Sequence, residues 1–187
     1  MENLDIDKNF MVKFRQGDYE IFRSIICLYQ TKIFNLVFGI VRNRQDAEDL
    51  TQKIFINVFK SRHKFKGTSS FYTWLYRIAV NESLNLLKKN KKNSQYFDES
   101  FMVSEMDVAD KNDNQVERKE LRDYFDKAIA KLDEKYRTAL ILKEIDCLSY
   151  QEISEVLGIS MEKVKIWIFR AREKLRQIVR LDGGELL

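Results

Sequence analysis

The chain has 187 residues, of which 44% are hydrophobic and 33% charged, with a formal net charge of +4 at pH 7. This composition is too apolar for a disordered chain and too evenly charged for a membrane protein, and the length suits one large domain or two small ones. With two distant cysteines and a single histidine, neither a disulfide framework nor a zinc site is supported, so we expect no metal or other cofactor.

Helices are predicted along most of the chain. It contains no proline, which favours uninterrupted helices over a turn-rich β fold. Apolar residues recur at spacings of three and four in the following segments, and each is predicted to be a helix: Met11–Phe14, Tyr19–Leu28, Lys32–Arg42, Asp46–Phe59, Phe71–Lys89, Val116–Leu132, Glu134–Ile145, Tyr150–Leu157 and a closing helix after Ser160.

Two segments lack this periodicity. The stretch SRHKFKGTSS, residues 61–70, clusters Gly and Ser and is predicted to be a loop. Polar residues without a clean period fill the second stretch, which we interpret as a linker. We therefore predict an all-α chain with two small helical domains, residues 1–92 and 116–187, joined by a flexible acidic linker, residues 93–115.

The N-terminal ten residues, MENLDIDKNF, carry acids where a secretory signal needs a basic start and an apolar run. The longest apolar stretch, Ile33–Val41, is far shorter than a bilayer span. We therefore expect a cytoplasmic protein without membrane insertion. Its cysteines, Cys27 and Cys147, are expected to be buried as small hydrophobic residues.

Charge is distributed unevenly along the chain. Residues 53–92 contain ten Lys or Arg against one acid, and residues 161–180 contain seven against two. Residues 98–113, between them, contain six acids against one lysine. Two separated basic blocks suit a polyanion contacted at two places, and nucleic acid is the commonest such partner. The alternative is that both blocks are ordinary solvated helix faces.

The C-terminal end has the pattern of a helix-turn-helix. A short amphipathic helix, Tyr150–Leu157, is followed by Gly158, and Ser160 is placed to cap the next helix. In that helix Val164 and Ile168 are predicted to face the core. A generic helical hairpin would show much of this pattern, but the second helix is long and basic, which favours the helix-turn-helix.

The outer face of the second helix combines cations with large apolar side chains. A helix in a DNA major groove needs cations for phosphates and specific groups for base edges, and apolar groups can contact thymine methyls. The alternative for Trp167 and Phe169 is packing on a neighbouring helix or a protein partner. The candidate DNA-binding residues are Lys163, Lys165, Ile166, Trp167, Phe169, Arg170, Arg172 and Lys174.

Two further surfaces are predicted in the N-terminal half. Asp46 and Asp49 could form a capping box, whereas Glu48 and Gln52 suit a polar protein-binding face. In the segment from Arg62 onward, bases alternate with aromatic residues, as single-stranded or melted nucleic acid requires, although Trp74 and Ile78 also fit a core.

These residues together resemble an extracytoplasmic-function (ECF) sigma factor of the sigma-70 family over nearly the whole chain. The N-terminal signature is present as DAEDL at 46–50 with Thr51, Gln52 and Phe55, followed by Phe71, TWL at 73–75, Ile78-Ala79 and Asn81. The C-terminal signature is present as LSY at 148–150, Glu152-Ile153, LGIS at 157–160, Val164-Lys165 and RAR at 170–172. In place of the Ser-Arg common in the family, this chain has Ile166-Trp167, and it has Lys53 where the family commonly has an acid.

The resemblance implies a subunit that binds core RNA polymerase and promoter DNA, both duplex and melted, with an anti-sigma factor as a further partner. It implies polymerase contacts at Asp46, Glu48, Asp49, Gln52 and Phe55. It implies contacts with the unpaired minus-ten element at Arg62, Lys64, Phe65, Lys66, Ser69, Phe71, Trp74, Arg77 and Asn81, while the last helix reads the minus-thirty-five element.

Two other functions are weighed against this one. A stand-alone helix-turn-helix regulator would bind duplex DNA as a dimer and use residues 1–90 to sense a ligand or partner. An enzyme acting on nucleic acid is disfavoured because the chain has no clustered His or Cys ligands and no phosphate-binding Gly loop.

Overall fold

The computed structural model describes residues 8–94 and 124–181, and every regular element within these ranges is helical. The predicted all-α class is confirmed. The chain divides into two compact units, residues 1–99 and 100–187, except that the short segment 155–158 groups with the first unit. Most of the predicted linker, and the first part of the helix predicted from Val116, lie outside the described residues.

The N-terminal unit contains four α-helices and one short 3₁₀ turn. They are α1 (Lys8–Gln16), α2 (Tyr19–Val41), α3 (Arg44–Lys60), the 3₁₀ turn (Arg62–Lys64) and α4 (Phe71–Ser94). Helix α2 packs against α3 and α4, and α1 packs against α2 and the 3₁₀ turn. A single helix, α2, replaces the two predicted helices, because Tyr29 at the expected break is buried and continues the core-facing side.

The ends of α2 and α3 are set by local hydrogen bonds. The Asp18 carboxylate accepts from the backbone N–H groups of Glu20 and Ile21 and caps α2. Arg42 then adopts a left-handed conformation, and the Asn43 side chain accepts from Asp46 N–H at 2.9 Å. Asn43 therefore caps α3, and the predicted cap at Asp46 is wrong by three residues.

By length and composition alone, α2 is long and apolar enough to cross a membrane. Core helices of folded proteins share this property. In α2 seven residues are buried in the unit: Ile25, Tyr29, Ile33, Leu36, Val37, Ile40 and Val41.

In the described part of the C-terminal unit the first helix covers residues 124–130 and is called α5. It continues with α6 (Glu134–Leu140), a π-helical segment (Ile141–Ile145), α7 (Tyr150–Leu157) and α8 (Met161–Leu181). Helix α6 packs on α8 through a cluster in which Leu132, Tyr136, Leu140 and Ala171 are buried. The Tyr124 hydroxyl donates to the Val179 carbonyl oxygen at 3.1 Å, which ties α5 to the end of α8.

Both cysteines are exposed, so the prediction that they are buried is wrong. Cys147 has a φ of 55° and lies in the chain reversal between the π-helical segment and α7. The side chain of Cys147 faces solvent at this reversal. Cys27 faces solvent as well, on the exposed side of α2.

Candidate nucleic-acid and polymerase interfaces

Three local devices build the helix-turn-helix. Ser149 and Glu152 form a reciprocal capping box, in which Glu152 N–H donates to Ser149 Oγ at 3.2 Å and Ser149 N–H donates to Glu152 Oε2 at 2.8 Å. Gly158 has a φ of 64°, which a residue with a side chain rarely adopts. Ser160 Oγ accepts from Lys163 N–H at 3.3 Å and caps α8, as predicted.

Helix α8 buries one face and exposes the other. Val164, Ile168 and Ala171 are buried, which confirms the face predicted from their spacing. On the opposite side Ile166 is 48% exposed and Phe169 is 64% exposed. Both side chains are exposed in the described unit and are therefore available for contact with a ligand or partner. Such a contact is favourable, because it removes large apolar groups from water.

Trp167 lies on the flank of α8 and is half-buried. It packs on the cluster of Leu132, Tyr136 and Leu140, and its ring meets the Tyr136 ring edge-to-face with centroids 6.4 Å apart. The Lys163 ammonium group lies 5.5 Å from the Trp167 ring centroid. The structure therefore supports packing on a neighbouring helix, the alternative to base contact.

Several cations of α8 are held by acids or hydroxyls of the same unit. Arg172 Nη2 lies 2.5 Å from Glu144 Oε1, and Lys174 Nζ lies 2.7 Å from Asp133 Oδ2. Arg170 donates to the Tyr136 hydroxyl at 3.3 Å. Sequence reasoning missed these partners, because they are distant in sequence and belong to no motif.

Hydrogen bonds shift three pKa values in the C-terminal unit. The hydrogen bond from Arg170 lowers the pKa of the Tyr136 phenol, and neighbouring cations act in the same direction. Bonding to the Glu144 carboxylate raises the pKa of Arg172. Hydrogen bonds from its own backbone N–H and from Ser160 lower the pKa of Glu162, which stays ionised at the N-terminus of α8.

In the N-terminal unit, the loop of residues 62–70 exposes cations and buries its aromatic ring. Lys64 and Lys66 are exposed, as are Arg77 and Asn81 on α4. Phe65 and Phe71 are only 4% and 2% exposed. In this conformation neither ring is exposed for stacking on a base, and their contact with the unpaired strand stays a prediction.

Buried aromatic rings form the base of this loop. The Phe65 ring centroid lies 5.8 Å from that of Phe71 and 5.3 Å from that of Trp74, which is half-buried. Ser70 Oγ accepts from Thr73 N–H at 3.0 Å and caps α4. Sequence reasoning missed this cap, although a Ser directly before the first residue of an amphipathic helix is its local signal.

Arg62 folds back onto the protein. Its guanidinium carbon lies 4.6 Å from the Phe59 ring centroid, and its Nη1 donates to the Phe59 carbonyl oxygen at 2.9 Å. The side chain is half-buried, in contrast to Lys64 and Lys66. Arg62 therefore contributes to the structure of the loop in this conformation, and its contact with DNA stays a prediction.

Helix α3 presents a polar face from its first turns. Glu48, Asp49 and Gln52 are exposed, whereas Phe55 is 6% exposed and belongs to the core. Phe55 is therefore not exposed for a direct partner contact in this conformation, and its role at the polymerase stays a prediction. Lys53 Nζ lies 3.2 Å from Glu82 Oε2 on α4, so the unusual cation of this face has a partner within the unit.

Within the described residues, no group of three or more His, Cys, Asp or Glu side chains could hold a metal ion. The candidate surfaces are thus made of cations, apolar groups and an acidic patch, which suit binding to nucleic acid and protein.

Two family models match the chain, one on each unit. "Sigma-70 region 2" matches residues 25–93, and "Sigma-70, region 4" matches residues 122–175. Two helical units carrying these regions on one chain define the class of protein, a sigma factor of RNA polymerase.

Relatives match along almost the whole chain. The RNA polymerase sigma-H factor of Pseudomonas aeruginosa is 36% identical, covering 90% of this chain and 91% of the relative. The ECF RNA polymerase sigma factor SigW of Bacillus subtilis is 37% identical, covering 89% and 92%. The ECF sigma-E factor of Escherichia coli is 32% identical, covering 90% and 92%. The chain belongs to the ECF group of the sigma-70 family.

Solved structures share its fold. CnrH, in complex with the cytosolic domain of CnrY, has a TM-score of 0.71 at 23% identity and covers 97% of this chain and 100% of that one. The sigma factor RpoE of Bartonella quintana, in complex with the anti-sigma factor NepR, has a TM-score of 0.70 at 24% identity, covering 86% and 98%.

Proposed function

We propose that this chain binds core RNA polymerase and directs it to a subset of promoters, where it captures the melted minus-ten element. The observation that carries this proposal is the presence of both sigma regions on one chain, with relatives named as sigma factors at 32–37% identity along most of its length. A stand-alone helix-turn-helix regulator is not favoured, because it would not need region 2.

Helix α8 is the proposed reader of the minus-thirty-five element. Ile166 and Phe169 would meet base edges in the major groove, where apolar groups contact thymine methyls. Lys163, Lys165, Arg170, Arg172 and Lys174 would meet phosphates. Arg170, Arg172 and Lys174 would first exchange an internal partner for a phosphate, so each contributes less than an unpaired cation. Trp167 would hold α8 on α6.

The loop of residues 62–70 and the start of α4 are the proposed site for the unpaired minus-ten element. Lys64, Lys66 and Arg77 would hold the backbone, and Ser69 and Asn81 offer hydrogen bonds. The exposed part of Trp74 is the ring surface offered to a base. Phe65 and Phe71 would support this surface from inside the unit.

The polar face of α3 is the proposed contact with core polymerase, through Asp46, Glu48, Asp49 and Gln52, with Phe55 supporting the helix from the core. Residues 1–92 would form the polymerase and minus-ten domain, 93–115 the linker, and 116–187 the minus-thirty-five domain. The chain would act in the cytoplasm without catalysing a reaction, because phosphodiester formation belongs to the polymerase. An anti-sigma protein is a further proposed partner, by analogy with the complex of RpoE and the anti-sigma factor NepR.

A defined transcription assay tests this function. Core polymerase, the full chain and genomic fragments are combined, and start sites are mapped. We expect transcripts from a small set of promoters that share upstream elements, and no such transcripts from core polymerase alone. Polymerase that stays silent with every fragment would contradict the proposal, whereas a symmetric footprint on DNA without polymerase would favour the stand-alone regulator.

A further inference from the structure

Helix α1 lies outside the residues matched by the region 2 model, which begin at residue 25, yet it packs against the 62–70 loop. Phe14 of α1 is 1% exposed. Its ring meets the Phe71 ring edge-to-face with centroids 5.3 Å apart, and the Trp74 ring at 6.3 Å. Since Phe65 packs on the same two rings, one aromatic cluster joins α1, the loop and the start of α4.

A second contact holds the start of the loop, at Arg62. Gly17, directly after α1, has a φ of +86°, and a Cβ placed on it would lie 3.0 Å from Arg62 Nε and 3.1 Å from Arg62 Nη2. The Arg62 guanidinium is thus confined between the Gly17 backbone and the Phe59 ring. Its Nε is buried without a hydrogen-bond partner in the described part of the chain. The side chain is held by the hydrogen bond from Nη1 to the Phe59 carbonyl oxygen and by packing between Gly17 and the Phe59 ring.

We propose that α1 and the Gly17 turn position the 62–70 loop for capture of the unpaired strand, with Phe14 and Gly17 as positioning residues. This inference rests on the proposed function, since it assigns a role in strand capture. The physical reason is preorganisation. A loop anchored at Arg62 and Phe65 presents Lys64 and Lys66 with less conformational entropy to lose on binding.

The test uses the full chain in holoenzyme with core polymerase. Gly17→Ala adds one methyl group against Arg62 and strains the turn. Ile40→Val is the matched control, because Ile40 is fully buried near the other end of α2 and the change causes a similar modest loss of stability. Phe14→Leu is a second variant, which keeps an apolar side chain and removes the ring contacts.

Promoter opening is measured by permanganate reactivity of unpaired thymines, and core binding by fluorescence titration. We expect Gly17→Ala to slow opening about tenfold, equivalent to about 1.4 kcal/mol in the barrier, with core binding changed less than about twofold. Ile40→Val should open at the wild-type rate. The double variant with Gly17→Ala and Arg62→Ala should open the promoter at the same rate as the single variant Arg62→Ala. In the double variant the Arg62 atoms nearest to the new methyl group are absent, so the methyl group has nothing to displace.

Hydrogen exchange of the free chain supplies a readout independent of polymerase. We expect faster exchange in residues 61–70 of Gly17→Ala and Phe14→Leu than in Ile40→Val. If Gly17→Ala and Phe14→Leu match Ile40→Val in both opening and exchange, α1 only adds stability and the inference is overturned. A wild-type holoenzyme that opens no promoter would overturn the proposed function, and with it the role of α1 in capture.

Discussion

Arg172 of α8 forms an ion pair with Glu144 of the π-helical segment, at 2.5 Å between Nη2 and Oε1, with each side chain nearly half exposed. Glu144 thus pairs with Arg172, a cation that contacts a phosphate of the DNA in the proposed function. Removal of Glu144 should therefore change how the protein binds DNA more than how stably it folds, because exposed ion pairs contribute about 0–1 kcal/mol.

We expect Glu144→Gln to strengthen promoter binding by the holoenzyme, because Arg172 then reaches its proposed phosphate without first giving up an internal partner. The measurement is promoter affinity at several salt concentrations. Glu20→Gln, which removes an exposed acid from the N-terminal unit, is the control for net charge. Equal promoter affinities of Glu144→Gln and Glu20→Gln at every salt concentration would show that Arg172 lies away from the DNA.

Substitutions of the exposed apolar residues of α8 should affect promoter recognition and leave the stability of the fold nearly unchanged. We expect Ile166→Ala and Phe169→Ala to change the free energy of unfolding by less than about 0.5 kcal/mol, as for surface sites, while weakening promoter use. Ile168→Ala, on the buried face, should cost about 2–5 kcal/mol. Denaturant unfolding and transcription from one promoter measure both quantities. Ile166→Ser tests promoter selection separately, by comparison of several promoters. If the choice of promoters is unchanged, the Ile166 side chain faces protein and not DNA.

Trp167 should contribute to folding. Because its ring packs on Tyr136 and the Leu132 cluster, we expect Trp167→Ala to lower the free energy of unfolding of the C-terminal unit by about 2–3 kcal/mol, somewhat less than for a fully buried tryptophan. Phe169→Ala is the control for loss of an aromatic group from α8. Equal stability of both variants would contradict the packing role.

The capping box at the start of α7 is open to a local test. Ser149→Ala removes the acceptor for Glu152 N–H and should cost about 1 kcal/mol. Glu152→Gln retains a side-chain acceptor and should cost less. Ser24→Ala, at an exposed position inside α2, should be neutral or slightly stabilising, because alanine favours helices. Thermal unfolding of the three variants measures the difference.

The Arg170–Tyr136 hydrogen bond predicts a pH effect with a definite sign. The pKa of Tyr136 is lowered by Arg170, so ionised Tyr136 stabilises the folded state above the pKa of an unfolded tyrosine. This contribution is lost as the pH falls through the folded pKa. We expect Arg170→Ala to raise the pKa of Tyr136 in an NMR titration of the tyrosine ring carbons, and Arg176→Ala to change it less.

Local periodicity was enough to predict much of the C-terminal unit. The buried face of α8, the turn at Gly158 and the cap at Ser160 all depend on residues within one or two helical turns. A 3.6-residue period specifies which side of a helix is apolar without any knowledge of its partner. The same information could not distinguish a buried Phe65 from one that stacks on a base.

The sequence by itself determined the helical class, the faces of α8 and the signatures of regions 2 and 4. Only the tertiary structure decided which cations are already paired and which rings are buried. Arg172 and Lys174 find their acids 28 and 41 residues away in sequence, and Phe14 reaches Phe71 from another helix. Such contacts depend on how separate helices pack, and packing follows from the shape of the whole core, whereas periodicity records only the preferences of each segment.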